Sequence, residues 1–512
     1  MRRLIRSLTI TVGLLLVCRA AWSQQRLIPP ESEVGQPIHQ AAARGDIEAI
    51  QAELAHGIDL DLPVVSRERW LRGATPLMMA AARADARTVT WLLEAGADLW
   101  AKNAEGTDAL IWAAAYGDAE RVGILLEAGA DPNQANLRGT TALMCAAGTA
   151  GNLKRTELLL NSGADVDARD RGGATALVYA AGLGDMACVD ALLKAGADPH
   201  ASGVLHTPLT AASLEGHLDV VETLLSVGAD VHQPAQPGYT ALGMAAAGGH
   251  LPVMERLLAA GVEVNVQAGD GATPLVYAAW TGTAECLSRL LAENADPKLA
   301  MDNGMTALIA AADSVIDPEA KVRTLLEVGL DPNAATADGR TSLMMASVRG
   351  SVKATELLIK AGADLEAMDR TGLTPLIWAV FAEGGETTKL LIQAGADITH
   401  RDRRGSTILM NAASAGNVQA VTALLEAGAN VLEIDNSQYT ALHWAARFGD
   451  GPTVTALLDA GSVISAEDVW GRTALTHAER REDEQAAAVV EVLRAADTGG
   501  DTDEEGHGEG GE

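Results

Sequence analysis

Apolar positions along this chain fall in short bursts at helical spacing, separated by glycine and by polar runs. Around residues 218–226, Val220, Val221, Leu224 and Leu225 line one stripe of a 3.6-residue period. A shorter burst containing Ala211-Ala212 precedes it, and a polar stretch follows. The couplet recurs along the chain. The Thr that opens each Ala-rich burst falls at 75, 141, 175, 207, 240, 273, 306, 341, 374, 407, 440 and 473, with Asp108 in the same slot, at steps of 32–35 residues. A half-matching first unit starts at Gln36, which makes fourteen units over residues 36–496.

Each unit predicts a short helix, a turn, a second helix, a stop and a polar loop. Thr or Asp accepts a backbone N–H at a helix N-cap. Pro37, Pro76, Pro208, Pro274 and Pro375 follow the opening residue, at the first helical position, where a missing N–H costs nothing. A second series, Gly57, Gly96, Gly129, Gly163, Gly196, Gly228, Gly261, Gly329, Gly362, Gly395, Gly428 and Gly461, marks the left-handed residue that stops the second helix. Its one exception is Asn294, the best replacement for glycine in that conformation. The loop before the next cap, such as Asp170-Arg171-Gly172-Gly173, suits a β-hairpin-like turn.

These features resemble the ankyrin repeat: the 33-residue period, the Thr-Pro-Leu-His phrase, the Gly-His turns at Gly216-His217 and Gly249-His250, and the Gly-Ala-Asp close. The resemblance implies an all-α ankyrin solenoid of about fourteen helix-turn-helix units. The His three residues after the Thr survives only as His39 and His443; Met78, Ile111, Met144, Val178, Met344 and Met410 stand there elsewhere. Apolar packing is therefore expected to replace the hydrogen bonds which that His makes between repeats.

The flanks read differently. Arg2, Arg3 and Arg6 precede an apolar stretch from Leu8 to Val17, too short to span a bilayer, and Ala21-Trp22-Ser23 offers a cleavage site. Residues 1–23 are read as a signal peptide, with lipidation at Cys18 as the lesser alternative, and residues 24–35 as a linker. The expected location is the periplasm, with secretion as the alternative. The terminal units are expected to be polar caps. Residues 497–512 hold seven acids and no Lys or Arg and are read as an acidic disordered tail.

Composition then narrows the function. Hydrophobic residues make up 48% of the 512 residues but aromatics only 3%, which suits thin Ala-rich layers better than one large core. The net charge of −30 excludes a nucleic-acid partner and favours a basic or extended protein. No other segment approaches a membrane span, and a monomer is expected. No catalytic motif appears and the repeats leave no room for a catalytic domain, so an enzyme, a cofactor and a metal are not expected. The function expected is a non-catalytic protein-interaction scaffold, with a secreted effector or inhibitor as the alternative. Cys188 and Cys286 occupy a slot held elsewhere by Val220 and Val253 and are read as small buried hydrophobes. His200, His206 and His232 could converge from adjacent loops, though solvated loop histidines are the plainer reading.

In the family that this chain resembles, the concave face is built from hairpin loops and first helices, and partners bind there. Seven or eight residues after the marker, on that face, stand Tyr116, Leu183, Leu214, Trp280, Phe381 and Phe448. Packing between repeats is the equally weighted alternative for them. Position four carries Trp112, Tyr179, Tyr277, Trp378 and Trp444, assigned to packing between layers, while Trp70, Trp100, Tyr239, Tyr439 and Trp470 fall on loops. One basic cluster, Arg370, Arg401, Arg403 and Arg404, offers an anion- or carboxylate-binding patch against the plainer reading of solvated surface.

Overall fold

The computed structural model of the chain describes residues 35–204, 206–235 and 238–498. Among the described residues the regular structure is all helical, with 28 helices in fourteen consecutive pairs. The chain divides into two units, Met1–Asp270 and Gly271–Glu512. The first unit holds the pairs from Pro37–Arg44 to Leu251–Ala259, and the second those from Pro274–Trp280 to Ala486–Thr498. Within each unit, first helices pack on first helices and second helices on second helices of the neighbouring pair. The signal-peptide reading and the acidic tail from residue 499 lie outside the described residues, as does the linker up to residue 34.

Most start and stop signals operate as the pattern predicts, although Thr175 and Thr374 open their helices without a side-chain cap bond. Thr141 Oγ1 accepts the Met144 N–H at 3.3 Å, Thr273 the Val276 N–H at 3.3 Å, and Asp108 the Ile111 N–H at 2.9 Å. The prolines at 76, 208, 274 and 375 each open a helix. The twelve glycines of the stop series lie at φ between +83° and +96°, and Asn294 at +62°. Nothing lies within 4 Å of a Cβ built on these glycines. Backbone conformation rather than crowding therefore selects glycine there.

Alanine sets the layer spacing. Ala80-Ala81, Ala113-Ala114, Ala180-Ala181, Ala278-Ala279 and Ala445-Ala446 are fully buried, and their small side chains let first helices lie close together. The second helices bury one apolar stripe, as with Val221 and Leu224, or Val454 and Leu457. Cys188 and Cys286 are buried on this stripe, and both thiols are free. Burial pushes the Cys188 thiol up to about 11.

A polar side chain near the start of many second helices reaches back to carbonyls at the end of the preceding first helix. Arg155 Nη1 donates to Ala114 O at 2.8 Å and Gly117 O at 2.9 Å. His217 Nε2 lies 3.1 Å from Gly182 O. Lys321 Nζ donates to Ala279 O at 3.2 Å, Asn417 Nδ2 to Gly384 O at 2.7 Å, and Arg481 Nη1 to Gly449 O at 2.9 Å. Carbonyls that a helix end leaves open thus find their donors in the next repeat.

The two surviving family histidines behave as the resemblance implies: His39 Nε2 lies 2.7 Å from Leu62 O and His443 Nε2 lies 3.1 Å from Arg472 O. Met78, Met344 and Met410, in the same slot, are at most 1% exposed. The last helix, Ala486–Thr498, runs past the position of the usual glycine stop and past residue 496. The connecting loops form no strands among the described residues; isolated bridges such as Ala135 to Thr141 and Arg401 to Thr407 are all that the hairpin-like turns contain.

Candidate functional site

Several hairpin loops are stapled by an acidic residue five positions before the marker, a place taken by Asn103, Asn136 and Thr336 in others. Asp435 Oδ1 accepts the N–H groups of Ser437 (2.8 Å) and Tyr439 (3.0 Å), closing the turn on itself. Its Oδ2 accepts the indole N–H of Trp444 at 3.0 Å. The same arrangement joins Asp369 to Trp378 at 3.2 Å, Asp170 to the Tyr179 hydroxyl at 2.7 Å, and Asp468 to His477 Nε2 at 2.8 Å. Ring donors at position four therefore lock the hairpin to the first helix of their own repeat, besides packing between layers. Burial works against the Asp468 charge, but the His477 bond and the turn amides hold its carboxyl below the usual range.

In the second unit this lock lies within a continuous run of rings. Trp470, at a hairpin tip, meets Tyr439 edge-on with centroids 6.2 Å apart. Tyr439 meets Trp444 at 5.5 Å, and Trp444 stacks on Phe448 at 5.8 Å. The ends of the run face solvent: Trp470 is 60% and Phe448 52% exposed. Phe448 stays open because the next first helix, Ala474–Ala478, has five residues where Ala441–Phe448 has eight. Cations flank the run. Arg447 lies over the Phe448 ring at 5.0 Å and donates to the Tyr439 hydroxyl at 3.1 Å, and Arg472 lies over Trp470 at 5.6 Å.

The first unit carries a shorter run. Trp70 stacks on Trp112 at 6.0 Å, and Trp112 meets Tyr116 edge-on at 6.0 Å. Tyr116 is 36% exposed and Trp112 is buried. Trp100, on the following loop, is 67% exposed.

The other candidate residues are placed differently. Leu183, Leu214 and Phe381 are half-buried. Trp280 is 7% exposed, and its indole N–H donates to Asp313 Oδ2 at 3.2 Å. Asp313 also accepts from Arg349 Nε at 2.8 Å, so one carboxylate joins three successive repeats. The basic cluster divides. Arg401 straps its hairpin to the next, donating to Ile434 O at 2.9 Å and Glu433 at 2.9 Å. Arg370 lies 3.6 Å from Asp338. Arg403 and Arg404 are exposed at a hairpin tip.

His200 and His232 are exposed, while His206 is buried. Among the described residues no group of three or more His, Cys, Asp or Glu is placed to hold a metal ion. Among them, too, no helix is long and apolar enough to cross a membrane.

The pairing of position-four rings with the hairpin acid was not anticipated from the sequence, although the recurring five- and four-residue offsets around the Thr carry it. Arg447 and Arg472 were also missed, since nothing in the repeat pattern singles them out.

No curated protein matches the chain. The family model for ankyrin repeats (3 copies) matches residues 38–136, 77–170, 110–203, 143–235, 199–268, 242–336, 317–402 and 382–468. These matches run without a break from 38 to 468, and the helix pairs, caps and glycine stops coincide with them. The chain belongs to the ankyrin repeat family and is a protein–protein interaction scaffold.

Proposed function

We propose that this chain is an exported, non-catalytic scaffold that grips a protein partner through rings and arginines on its first helices and hairpins. The run from Trp470 through Tyr439 and Trp444 to Phe448 carries the proposal, because it joins a hairpin tip to the far end of a first helix. Large rings flanked by arginine are the side chains that dominate binding energy at interfaces. Arg447 and Arg472 add preference for a partner with carboxylates on an extended segment. Tyr116 and Trp100 offer a second contact in the first unit.

Export is supported by the Arg-rich start, the apolar stretch from Leu8 to Val17 and the small residues before Gln24. The thiols suit an oxidising compartment, since Cys188 and Cys286 are fully buried and burial pushes Cys145 up to about 12. Periplasm is the first location to test and the medium the second.

The test is capture of the partner from the exported fraction by the wild-type chain and by Phe448→Ala/Trp470→Ala. Loss of at least tenfold of the captured partner, with helicity intact, is the expected result. Equal capture by both would overturn the assignment of these rings. A chain found only in the cytosolic fraction would overturn export.

A further inference from the structure

The Arg–aromatic surface of the last repeats is an anomaly in a chain of net charge −30. Arg447 and Arg472 sit over Phe448 and Trp470, and no ion pair engages either guanidinium among the described residues. Arg403 and Arg404 continue the same edge. The hairpin tips lie side by side there, with Asn436 N donating to Arg404 O at 3.2 Å and Val469 N to Ser437 O at 3.2 Å. Four arginines thus line neighbouring tips and the end of one first helix.

The chain itself carries complementary charge in the segment that follows its last repeat. The final helix, Ala486–Thr498, packs on Ala474–Ala478 and Gly451–Asp459, in the repeat whose hairpin carries Trp470 and Arg472. In every preceding pair of the second unit, the chain leaving the second helix goes on to form the next hairpin. Here the last helix runs on to Thr498, in the repeat that carries Trp470, and residues 499–512 follow it in the sequence. They contain Asp501, Asp503, Glu504, Glu505, Glu509 and Glu512, with glycine between and no Lys or Arg. Fourteen residues reach roughly 45–50 Å when extended, against about 10 Å per repeat layer.

We propose that residues 499–512 dock on the surface formed by Arg403, Arg404, Arg447, Phe448, Trp470 and Arg472, and so compete with an acidic partner for it. Each exposed ion pair contributes little alone. Tethering raises the effective concentration of the segment to the order of 1 mM, so a dissociation constant of about 0.1 mM keeps it docked ten parts in eleven. Glycine suits the role, since a bare backbone can approach the ring faces closely. The proposal shares its surface with the function proposed above, but its test uses no partner, so either can fail alone.

The test is limited digestion of the full chain with a Glu-specific protease, reading cleavage after Glu504, Glu505 and Glu509 by intact mass. Expected is cleavage about tenfold slower in 50 mM salt than in 1 M salt, relative to a free peptide of the same sequence under each condition. Asp501→Lys/Asp503→Lys, which leaves the repeats untouched, and Arg447→Glu/Arg472→Glu should each abolish the protection. Tail cleavage at the free-peptide rate in the wild type overturns the proposal, and so does protection that survives Asp501→Lys/Asp503→Lys. Protection that appears only as chain concentration rises, together with a dimer mass, assigns the surface to the segment of a second copy and overturns docking within one chain.

Discussion

Trp444 Nε1 donates to Asp435 Oδ2 across 3.0 Å, and so ties the middle of a first helix to the hairpin that precedes it. The same carboxylate closes the hairpin through two backbone N–H groups. Asp435→Ala should therefore cost about 2–4 kcal/mol, since it strands several buried donors, while Trp444→Phe, which keeps a ring, should cost about 1–2 kcal/mol. Urea unfolding followed by circular dichroism measures both. A milder effect for Asp435→Ala than for Trp444→Phe would show that the hairpin closes without its carboxylate.

Gln438 occupies, at φ +59°, a hairpin slot filled by glycine at Gly339, Gly372, Gly405 and Gly471. Left-handed backbone costs a side-chain-bearing residue about 1–2 kcal/mol. Gln438→Gly should recover up to about 1 kcal/mol, some being lost to the freer unfolded chain. Gly461→Ala should cost about 1 kcal/mol, although a Cβ there meets nothing within 4 Å. Thermal melts of both variants give the sign, and a neutral Gly461→Ala would refute the conformational account.

Burial pushes the His206 imidazole down to about 4 from an ordinary value of 6.5. Between those values the unfolded chain takes up a proton that the folded chain refuses, so stability present above pH 6.5 is lost as the pH falls towards 4. At pH 5 the loss is of order 2 kcal/mol. His206→Asn should remove this slope. Urea midpoints at pH 7.5 and pH 5 test it, and parallel losses in wild type and variant would contradict it.

Lys321 gives the same sign in a higher pH range. It is fully buried, and burial pushes its ammonium down to about 8 from 10.5. The folded state releases its proton first, so this group makes the protein more stable as pH rises through 8 towards 10.5. Between pH 7 and pH 9 the gain is of order 1 kcal/mol. Lys321→Met should abolish the gain, at the expense of the bonds to Ala279 O and Ser314 Oγ, 3.2 Å and 3.0 Å long. Unfolding midpoints of wild type and variant at pH 7 and pH 9 measure the difference, and equal gains would assign the slope elsewhere.

The period, the Thr caps and the glycine stops were legible in the sequence because each is a local backbone requirement with one or two chemical solutions. Asn294 shows how far this goes: the single break in the series adopts the same left-handed backbone. Exposure was less legible, because it depends on the neighbouring repeat. Trp280 and Phe448 hold nearly the same register, yet Trp280 is 7% and Phe448 52% exposed. Asp313 reaches Trp280 from the next repeat, while Phe448 faces a shortened helix. Arg401 likewise reads as a free cation until Glu433 and Ile434 O are found within 2.9 Å.

The backward reach of Arg155, His217, Lys321, Asn417 and Arg481 gives the stack an arrow. Every such donor serves the helix before it, so the end of each of these first helices is completed by the following repeat, while bonds such as His443 to Arg472 O run forward to the hairpin. During synthesis each nascent repeat would wait, with open carbonyls, for roughly one more period of chain to emerge. Shortening the protein from its C-terminal side would then do more than remove one interface: it would reopen the helix end of the repeat left behind. Trimming from the N-terminal side would leave these donors facing water and the first-helix carbonyls satisfied, so the two ends should tolerate loss unequally.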